Sequence, residues 1–446
     1  MHKRVLLATL AVLALSAAPA YAAAGGGSSG FRGGGGGGRG GGGGGFFVFW
    51  LFAHPILLLL VVGVIGCVAL YAYMQSARYK ARRRDRVRRV ELAAAEASEE
   101  DAAFDPVTVR DQATRLFKDI QSAWDQRDRA RLADLVGPDL MVEWTRRLDD
   151  FQRRGWHNRV SIKLGPDIEY VGMVNREDDR DDRVVVRVEA TLTDFVENGA
   201  GHRIAHDESA TDVRSLAEYW TLGKRERDGR WMLLSIEQRA EGDHHLAGDL
   251  VVTPWDDTTR LRDEALVEGA AEDKLPDDVR AADVASVSYE HDAHAKALDL
   301  SLVDARFGPD VLEVAVRRVV AAWAEAVDGS DDALAALSSP EALRDLLHPG
   351  DPSEQTRLVV RGPRVTGVTI ESLNVDAEPP RMRVAVQAEG RRYIEDRDTA
   401  AVLSGSQSVV TRFTEQWTLT LDGDDANPWR IADAKAPSAA TDLRLV

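Results

Sequence analysis

The apolar positions of residues 105–436 change period in the same order twice. Each half begins with apolar residues at spacings of three and four, the pattern of an amphipathic helix with one buried face. These positions are Val109, Ala113, Leu116, Phe117, Ile120 and Trp124 in the first half, and Val311, Val314, Ala315, Val319, Ala322 and Trp323 in the second. Shorter helical segments are predicted next, at residues 132–151 and 334–347.

Alternation of apolar and polar residues follows the helices in each half and predicts strands. The alternating apolar positions are Val184, Val186, Val188, Ala190 and Leu192 in the first half, and Met382, Val384 and Val386 in the second. The order of elements is therefore the same in both halves.

A tryptophan pattern closes each half. Glu218-Tyr219-Trp220-Thr221-Leu222, a charged turn and Trp231 correspond to Glu415-Gln416-Trp417-Thr418-Leu419, a charged turn and Trp429. Partners are 199 residues apart for Trp124 and Trp323, 197 for Trp220 and Trp417, and 198 for Trp231 and Trp429. This single period predicts two tandem copies of a domain. Because strand tryptophans bury a large apolar area, all six are candidates for the domain cores or pockets.

The chain upstream of the repeats begins with targeting features. Residues 1–22 have a basic start, an apolar run and Ala20-Tyr21-Ala22, which together predict a signal peptide cleaved after Ala22. Residues 25–45 contain 16 glycines, so we expect 23–45 to be a disordered tether.

No charged side chain occurs between Phe46 and Met74, a stretch long enough to cross a bilayer as a helix. A basic stem follows, and it predicts that the C-terminal part lies in the cytoplasm. Its basic residues, which are candidates for contact with anionic lipid, are Arg78, Lys80, Arg82, Arg83, Arg84, Arg86, Arg88 and Arg89. We therefore expect a single-pass protein of the bacterial inner membrane, with residues 75–104 as basic stem and spacer.

Charge and cysteine content exclude several classes of function. Residues 90–446 contain 44 basic and 72 acidic residues, and such an acidic body repels nucleic acid. The lone Cys67 excludes an intrachain disulfide and any cysteine-rich metal cluster.

The order of helices, strands and a Glu-x-Trp-Thr-Leu hairpin resembles the C-terminal domain of the Tim44 family, which is named for the membrane-associated anchor of the mitochondrial import motor. The residues that carry the resemblance are Glu218, Trp220, Thr221, Leu222 and Trp231, with Glu415, Trp417, Thr418, Leu419 and Trp429. It covers residues 105–240 and 304–436, with an acidic linker at 241–303 and a tail at 437–446. Related cone-shaped domains of the nuclear transport factor two type share the general pattern.

The resemblance implies an α+β fold in which helices pack on a curved antiparallel sheet around an apolar pocket. It also implies a docking or scaffold role with membrane or translocating proteins as partners, and not an enzyme. A small-molecule or lipid-binding sensor that uses one pocket is the alternative.

Candidate chemistry is sparse, and neither a cofactor nor a metal is expected. Asp194 and His157 are the nearest candidates for a pocket acid or base, although Arg392 stands opposite Asp194 in the second copy. His244, His245, His291 and His294 could supply metal ligands, but their placement in the linker favours solvated loops. The acidic runs 177–182 and 422–425 are expected at solvated turns rather than at calcium sites.

Overall fold

The computed structural model describes residues 55–204, 212–225, 227–248, 250–253, 287–290 and 292–435, with side chains from Cys67 onward. The predicted signal peptide, glycine tract and C-terminal tail lie outside the described residues. So do residues 46–54 of the predicted span and residues 254–286 of the predicted linker.

One long helix leads into the folded part. It is α1 (Pro55–Ala97), whose 43 residues correspond to about 65 Å at the usual rise. Across the part of the chain that the structure describes, no helix combines the length and apolarity needed to traverse a bilayer. The single-pass span therefore stays a prediction.

The first domain places three helices before four strands. The helices are α2 (Pro106–Gln126), α3 (Arg129–Leu135) and α4 (Pro138–Arg153). The strands are β1 (Trp156–Val174), β2 (Arg183–Asn198), β3 (Val213–Lys224) and β4 (Trp231–Gln238), antiparallel in the order β1-β2-β3-β4. Helix α2 starts where Pro106 follows Asp105, whose carboxylate accepts a 2.8 Å bond from the Thr108 amide.

Among the residues that the structure describes, the second domain repeats this order and shows two further strands. It contains β5 (Val287–Tyr289), α5 (Ala293–Ser301), α6 (Pro309–Ala326), α7 (Asp332–Ala336) and α8 (Pro340–Leu347). Its other strands are β6 (Thr356–Asn374), β7 (Arg381–Asp396), β8 (Val402–Gly405), β9 (Thr411–Leu421) and β10 (Trp429–Lys435). The strand order is β10-β9-β7-β6-β5, with β8 paired to β7.

The two sheets correspond strand for strand. β1 and β6 each have 19 residues, and β2 and β7 each have 16. Strand β2 pairs with β1 and β3, and β7 pairs in the same antiparallel way with β6 and β9. The predicted α+β class and the tandem duplication are confirmed.

Residues 90–104 belong to the first domain, which corrects their prediction as a spacer. Val90, Ala94 and Ala97 on the last turns of α1 are fully or almost fully buried in the first core. They recur at spacings of four and three, so one face of the helix end packs on the domain. Phe104 completes this contact by packing edge-on to Trp231, with ring centroids 5.5 Å apart.

Residues 241–303 are only partly a linker, which corrects a second boundary. Gly242–Leu246 forms a 3-10 helix beside the first domain. Strand β5 pairs in parallel with β6, and Ala293 and Ala297 of α5 are buried in the second core. The second domain therefore starts well before residue 304.

Candidate functional site: a charged seam between the domains

The two domains meet at a buried charged seam, which is made by two segments of the first domain and three of the second. The first domain contributes the end of β4 and the 3-10 helix Gly242–Leu246, and the second contributes strands β6 and β7 with the turn after α6. The polar residues at its centre are Glu237, Glu241, His244, His245, Asp328, Arg361 and Tyr393. Sequence analysis assigned none of the carboxylates, nor Arg361 or Tyr393, to a site.

Arg361 connects the two domains. Its Nη1 donates to the Asp328 carboxylate at 2.8 Å and to the Asp328 carbonyl at 2.6 Å, within the second domain. Its Nη2 donates to the Ile236 carbonyl of the first domain at 3.4 Å. The Arg361 side chain is about 10% exposed, so these bonds form with little competition from water.

Glu237 and the two histidines form the first-domain side of the seam. Glu237 is 1% exposed, and its Oε1 lies 2.7 Å from Nε2 of His245. Its Oε2 lies 3.5 Å from Nδ1 of His244, whose Nε2 is 3.8 Å from the Asp328 carboxylate across the seam. The imidazole rings of His244 and His245 are 4.0 Å apart.

These contacts shift the titration of the seam groups. Burial raises the pKa of the Glu237 carboxyl, but the attraction of His245 and His244 outweighs burial and lowers that pKa to about 2. Burial lowers the pKa of the His245 imidazole, but the attraction of Glu237 raises it by more, so the net shift is upward. Both net shifts favour the ionised forms of Glu237 and His245.

Glu241 binds the second domain from the 3-10 segment. The Tyr393 hydroxyl donates to Glu241 Oε1 at 3.1 Å, and Arg391 donates to the Glu241 carbonyl at 3.4 Å. Burial raises the pKa of the Glu241 carboxyl to about 7.

Further ion pairs surround this centre. Arg397 lies 2.7 Å from the Glu143 carboxylate, and Asp398 accepts from Arg146 and from Arg153, at 2.9 Å each. A cavity of about 80 Å³ lies between the domains, with Trp144 on one wall and Arg357 on the other. Such a polar space has room for a few bridging waters.

The basic stem is only partly available to a lipid surface. Arg86 is 2% exposed and donates to the Val171 carbonyl and the Gly248 carbonyl, at 2.6 Å each. Arg83 is half-buried and pairs with Glu169 at 3.0 Å. These contacts correct the expectation that both face lipid. The other six, Arg78, Lys80, Arg82, Arg84, Arg88 and Arg89, are exposed on α1.

The six paired tryptophans lie in the two cores, each 5% exposed or less. Trp220 packs on Phe117 at 5.3 Å between ring centroids, and Trp323 packs on Trp417 at 5.8 Å. They are core residues, since each belongs to one of the two clusters of buried apolar side chains. Equivalent bonds fix Trp231 and Trp429, whose Nε1 groups donate at 3.0 and 3.1 Å to carbonyls of the two short 3-10 helices Ala102–Phe104 and Ala305–Phe307.

The two candidate pocket residues have structural partners. Asp194 is 5% exposed and accepts from Asn158 Nδ2 at 2.6 Å, while Trp124 Nε1 donates to the same Asn158 side chain at 2.8 Å. Burial raises the pKa of Asp194 to about 6. His157 contacts the Asp125 carbonyl through Nε2 at 2.7 Å.

A second buried acid lies on β3 and was not among the predicted pocket groups. Glu218 accepts from Trp220 Nε1 at 3.0 Å, and burial raises the pKa of its carboxyl to about 8. The Glu-x-Trp spacing of the closing hairpin was the available signal, because residues two apart lie on the same face of a strand.

The histidine and acidic-run expectations are corrected in part. His244 and His245 are in the seam and not in a solvated loop, whereas His294 packs edge-on to Tyr289 at 4.9 Å and His291 lies outside the described residues. In the run 177–182, Asp182 is fully buried 2.6 Å from Lys224 Nζ. In the run 422–425, the residues form an exposed turn.

Lys224 also explains a cluster of three carboxylates. Asp101, Asp179 and Asp182 lie close enough together to hold a cation, and the Lys224 ammonium lies among them. The group is an ion network in which the lysine supplies the positive charge.

Comparisons with known proteins agree with the duplicated fold. A family model described as Tim44-like domain matches residues 90–238 and 292–436. The first match starts at Val90, where α1 joins the first core, and the second starts one residue before α5. No curated protein matches the chain.

Two solved structures show weak likenesses. The intermembrane space region of the chloroplast protein ARC6 is 15% identical, with a TM-score of 0.21, covering 28% of this chain and 95% of that one. An Ntf2-like protein involved in plasmid conjugation is 9% identical, with a TM-score of 0.18, covering 75% of this chain and 98% of that one. At these scores neither supports an argument about this chain.

Proposed function

Because the chain belongs to the family of Tim44-like domains and carries two of them, we propose that it is a membrane-associated docking protein whose tandem domains act as one rigid body. The observation that carries the proposal is the charged seam. It fixes the two domains through buried bonds, so that they present one continuous surface to a partner. Its partners are membrane or translocating proteins, as the family implies.

The filled domain interiors support docking over catalysis. Trp220 and Trp417 lie in the centres of the two cores and are almost fully buried. Asp194 and Glu218, the buried acids of the first domain, are held by hydrogen bonds from Asn158 and Trp220. Partner recognition therefore rests on the outer surfaces.

Membrane attachment enters the proposal through α1. The apolar stretch 46–74 and the basic residues after it place the body in the cytoplasm of a bacterial cell, with α1 crossing the inner membrane. Since the end of α1 is part of the first core, the anchor and the docking body are joined without a flexible joint. The six exposed basic side chains of α1 would contact anionic lipid at the inner leaflet.

The hairpin after β7 is the surface that we assign to partner docking. Leu403, Val409 and Val410 on it are each more than half exposed. Strand β8 in this hairpin pairs with β7 in an antiparallel manner. Exposed apolar side chains on a projecting hairpin are typical of contact sites for another protein.

Site-specific photocrosslinking in membranes tests the proposal. A photoreactive amino acid in place of Val410 is expected to capture a membrane or translocation protein, and the same amino acid in place of exposed Glu341 is the matched control. Equal crosslinking from both positions, or a co-purifying metabolite with no crosslinked protein, would reject docking by this surface. Digestion of the acidic body by protease added outside intact cells would reject the orientation.

One observation favours the alternative of a ligand-binding sensor. A groove of about 460 Å³ on the first domain is lined by Trp231, by five arginines and by three aspartates that pair with four of them. The arginines are Arg115, Arg131, Arg225, Arg227 and Arg230. They would suit a small anionic ligand, and mass spectrometry of the purified full-length protein would detect one. Loss of that ligand in Arg131→Ala with crosslinking unchanged would assign the groove to sensing.

A further inference from the structure

We propose that the seam contains a binding site for a divalent transition-metal ion, of which Zn²⁺ is the best match, formed by Glu237, His244 and His245 of the first domain and completed by Asp328 of the second. The site is independent of the docking proposal, because it concerns what holds the two domains together and not what they bind.

The side-chain atoms that could bind the metal lie close together in the structure. One ligand atom from each of Glu237, His244 and His245 lies within 4.8 Å of the others. The Asp328 carboxylate is 3.8 Å from His244 Nε2, so a fourth donor faces the group from across the seam. Two imidazoles with carboxylates form a donor set that Zn²⁺ prefers, and four ligands suit its tetrahedral geometry.

One buried carboxylate oxygen of the group has no hydrogen-bond partner among the described residues. Glu237 is 1% exposed, and among the described residues its Oε2 has no hydrogen-bond partner. A buried acceptor without a donor is costly, and a metal ion is one way to satisfy it. This oxygen lies toward His244, 3.5 Å from its Nδ1, and so faces the other proposed ligands.

The charge of the seam is also suited to a divalent cation. Glu237, Glu241 and Asp328 bring three carboxylates, and Arg361 brings one guanidinium. Carboxylates outnumber the guanidinium in this group, and an ion that binds here would displace any proton held by the two imidazoles.

The backbone of both domains is shaped to hold His244 at this point. The Glu241 carbonyl lies 3.0 Å from His244 Nδ1, the kind of outer contact that orients an imidazole ligand and leaves its other nitrogen for the metal. Gly362 of β6, with φ of +58°, faces the ring from the second domain. A Cβ at Gly362 would lie 2.7 Å from His244 Cγ, so any other residue would displace the ring.

A metal at this point would act as a bridge between the domains. Three of its ligands come from β4 and the 3-10 segment that follows, and the fourth comes from the turn after α6. Ion binding would therefore add to the free energy that keeps the domains together.

The test uses the full-length protein, purified in detergent, stripped with a chelator and titrated with ZnCl₂ by calorimetry. We expect one ion per chain, and binding weakened by roughly 100-fold or more in His245→Ala and in Glu237→Gln. His294→Ala, a histidine of α5 outside the seam, is the matched control and should bind as the wild type does. Co²⁺ in place of Zn²⁺ should give the intense visible bands of a tetrahedral site.

The variants must also be distinguished from misfolded protein. Asp328→Asn replaces one carboxylate oxygen and should weaken Zn²⁺ binding by roughly 10-fold. A far-UV circular dichroism spectrum of the metal-free variant that matches the wild type would show that the variant is folded. Equal affinity in wild type and His245→Ala, absence of any bound Zn²⁺, or an octahedral Co²⁺ spectrum would each overturn the proposal.

Discussion

The two domains have the same arrangement of strands but carry different residues at three equivalent positions. Ser161, Asp194 and Phe195 of the first domain occupy the places of Arg361, Arg392 and Tyr393 in the second, as the pairing of β1 with β2 and of β6 with β7 shows. Arg361 and Tyr393 make the cross-domain bonds of the seam.

As a result, the buried carboxyl groups of the two cores have different partners. In the second domain, Arg392 lies 3.5 Å from the buried Glu415 and 5.0 Å from the ring of Phe413. In the first domain, Asp194 and Glu218 are buried acids whose partners are the neutral side chains of Asn158 and Trp220. The same fold thus accepts a buried ion pair in one core and hydrogen-bonded acids in the other.

The comparison indicates a division of roles. The second domain has a cation and a hydroxyl at positions where the first domain has serine and phenylalanine, and both groups bind the first domain. We infer that the second domain is adapted to hold the first, and the following changes test this from the largest expected effect to the smallest.

Truncation of the central tryptophans should have the largest effect. Trp220→Ala and Trp417→Ala each remove a fully buried ring, and each should cost about 4 kcal/mol of unfolding free energy. Hydrogen exchange followed by mass spectrometry should show that each change mainly weakens protection in its own domain. Equal loss of protection in both domains from either change would mean that the two cores unfold as one unit.

The sequence predicted the duplication well, because large apolar residues at fixed spacing decide both element type and core. The seam could not be predicted in this way. Three of its charged residues are distant in sequence: Glu237, Asp328 and Arg361. Because charged residues are usually exposed, the sequence predicts that each is solvated. Only the packing of one domain on the other buries them.

Two missed features did have a signal in the sequence. Arg86 precedes Val90, Ala94 and Ala97 at helical spacing, so its position on the buried face of α1 could be separated from the other basic residues. The start of each domain also repeats, since Asp101-Ala102-Ala103-Phe104 matches Asp304-Ala305-Arg306-Phe307 in the second copy. That repeat marks a boundary before residue 105.

Reversion of the seam cation should have the next largest effect. Arg361→Ser installs the residue of the first domain and leaves Asp328 buried without its cation, at a cost of about 3 kcal/mol. We expect the domains to separate, with a larger radius of gyration in small-angle X-ray scattering. Arg364→Ser, on the same strand but with a side chain 78% exposed, is the control that should leave the radius unchanged. An unchanged radius in Arg361→Ser would refute the role of this residue.

The pH dependence of the first domain is the third test. The folded pKa of Glu218 is raised to about 8 by burial, so its stabilising contribution is present at low pH and is lost as pH rises through 8. Between pH 6 and pH 8 the first domain should lose about 2 kcal/mol of stability, since each pH unit corresponds to about 1.4 kcal/mol while only the folded state keeps the proton.

Glu218→Gln retains an acceptor for Trp220 Nε1 and should reduce this dependence. The measurement is hydrogen exchange of β3 as a function of pH, in wild type and variant. The same pH profile in both proteins would show that Glu218 does not titrate as described.

Removal of one hydroxyl should have the smallest effect. Tyr393→Phe restores the residue of the first domain and removes the bond to Glu241, at a cost of about 1 kcal/mol. The loss should be seen as faster amide exchange in the Gly242–Leu246 segment. Phe195→Tyr, the reciprocal change in the first domain, should leave exchange in that segment unaltered, and a similar effect of both changes would argue against a specific seam bond.

The central claim, that the two domains form one rigid docking body, is tested most directly by the distance between them in the membrane-bound protein. Spin labels at exposed Lys163 of the first domain and Glu341 of the second, in a Cys67→Ser background, would report it by double electron–electron resonance. The account predicts one narrow distance distribution that broadens in Arg361→Ser. A broad distribution in the otherwise unchanged protein would contradict it.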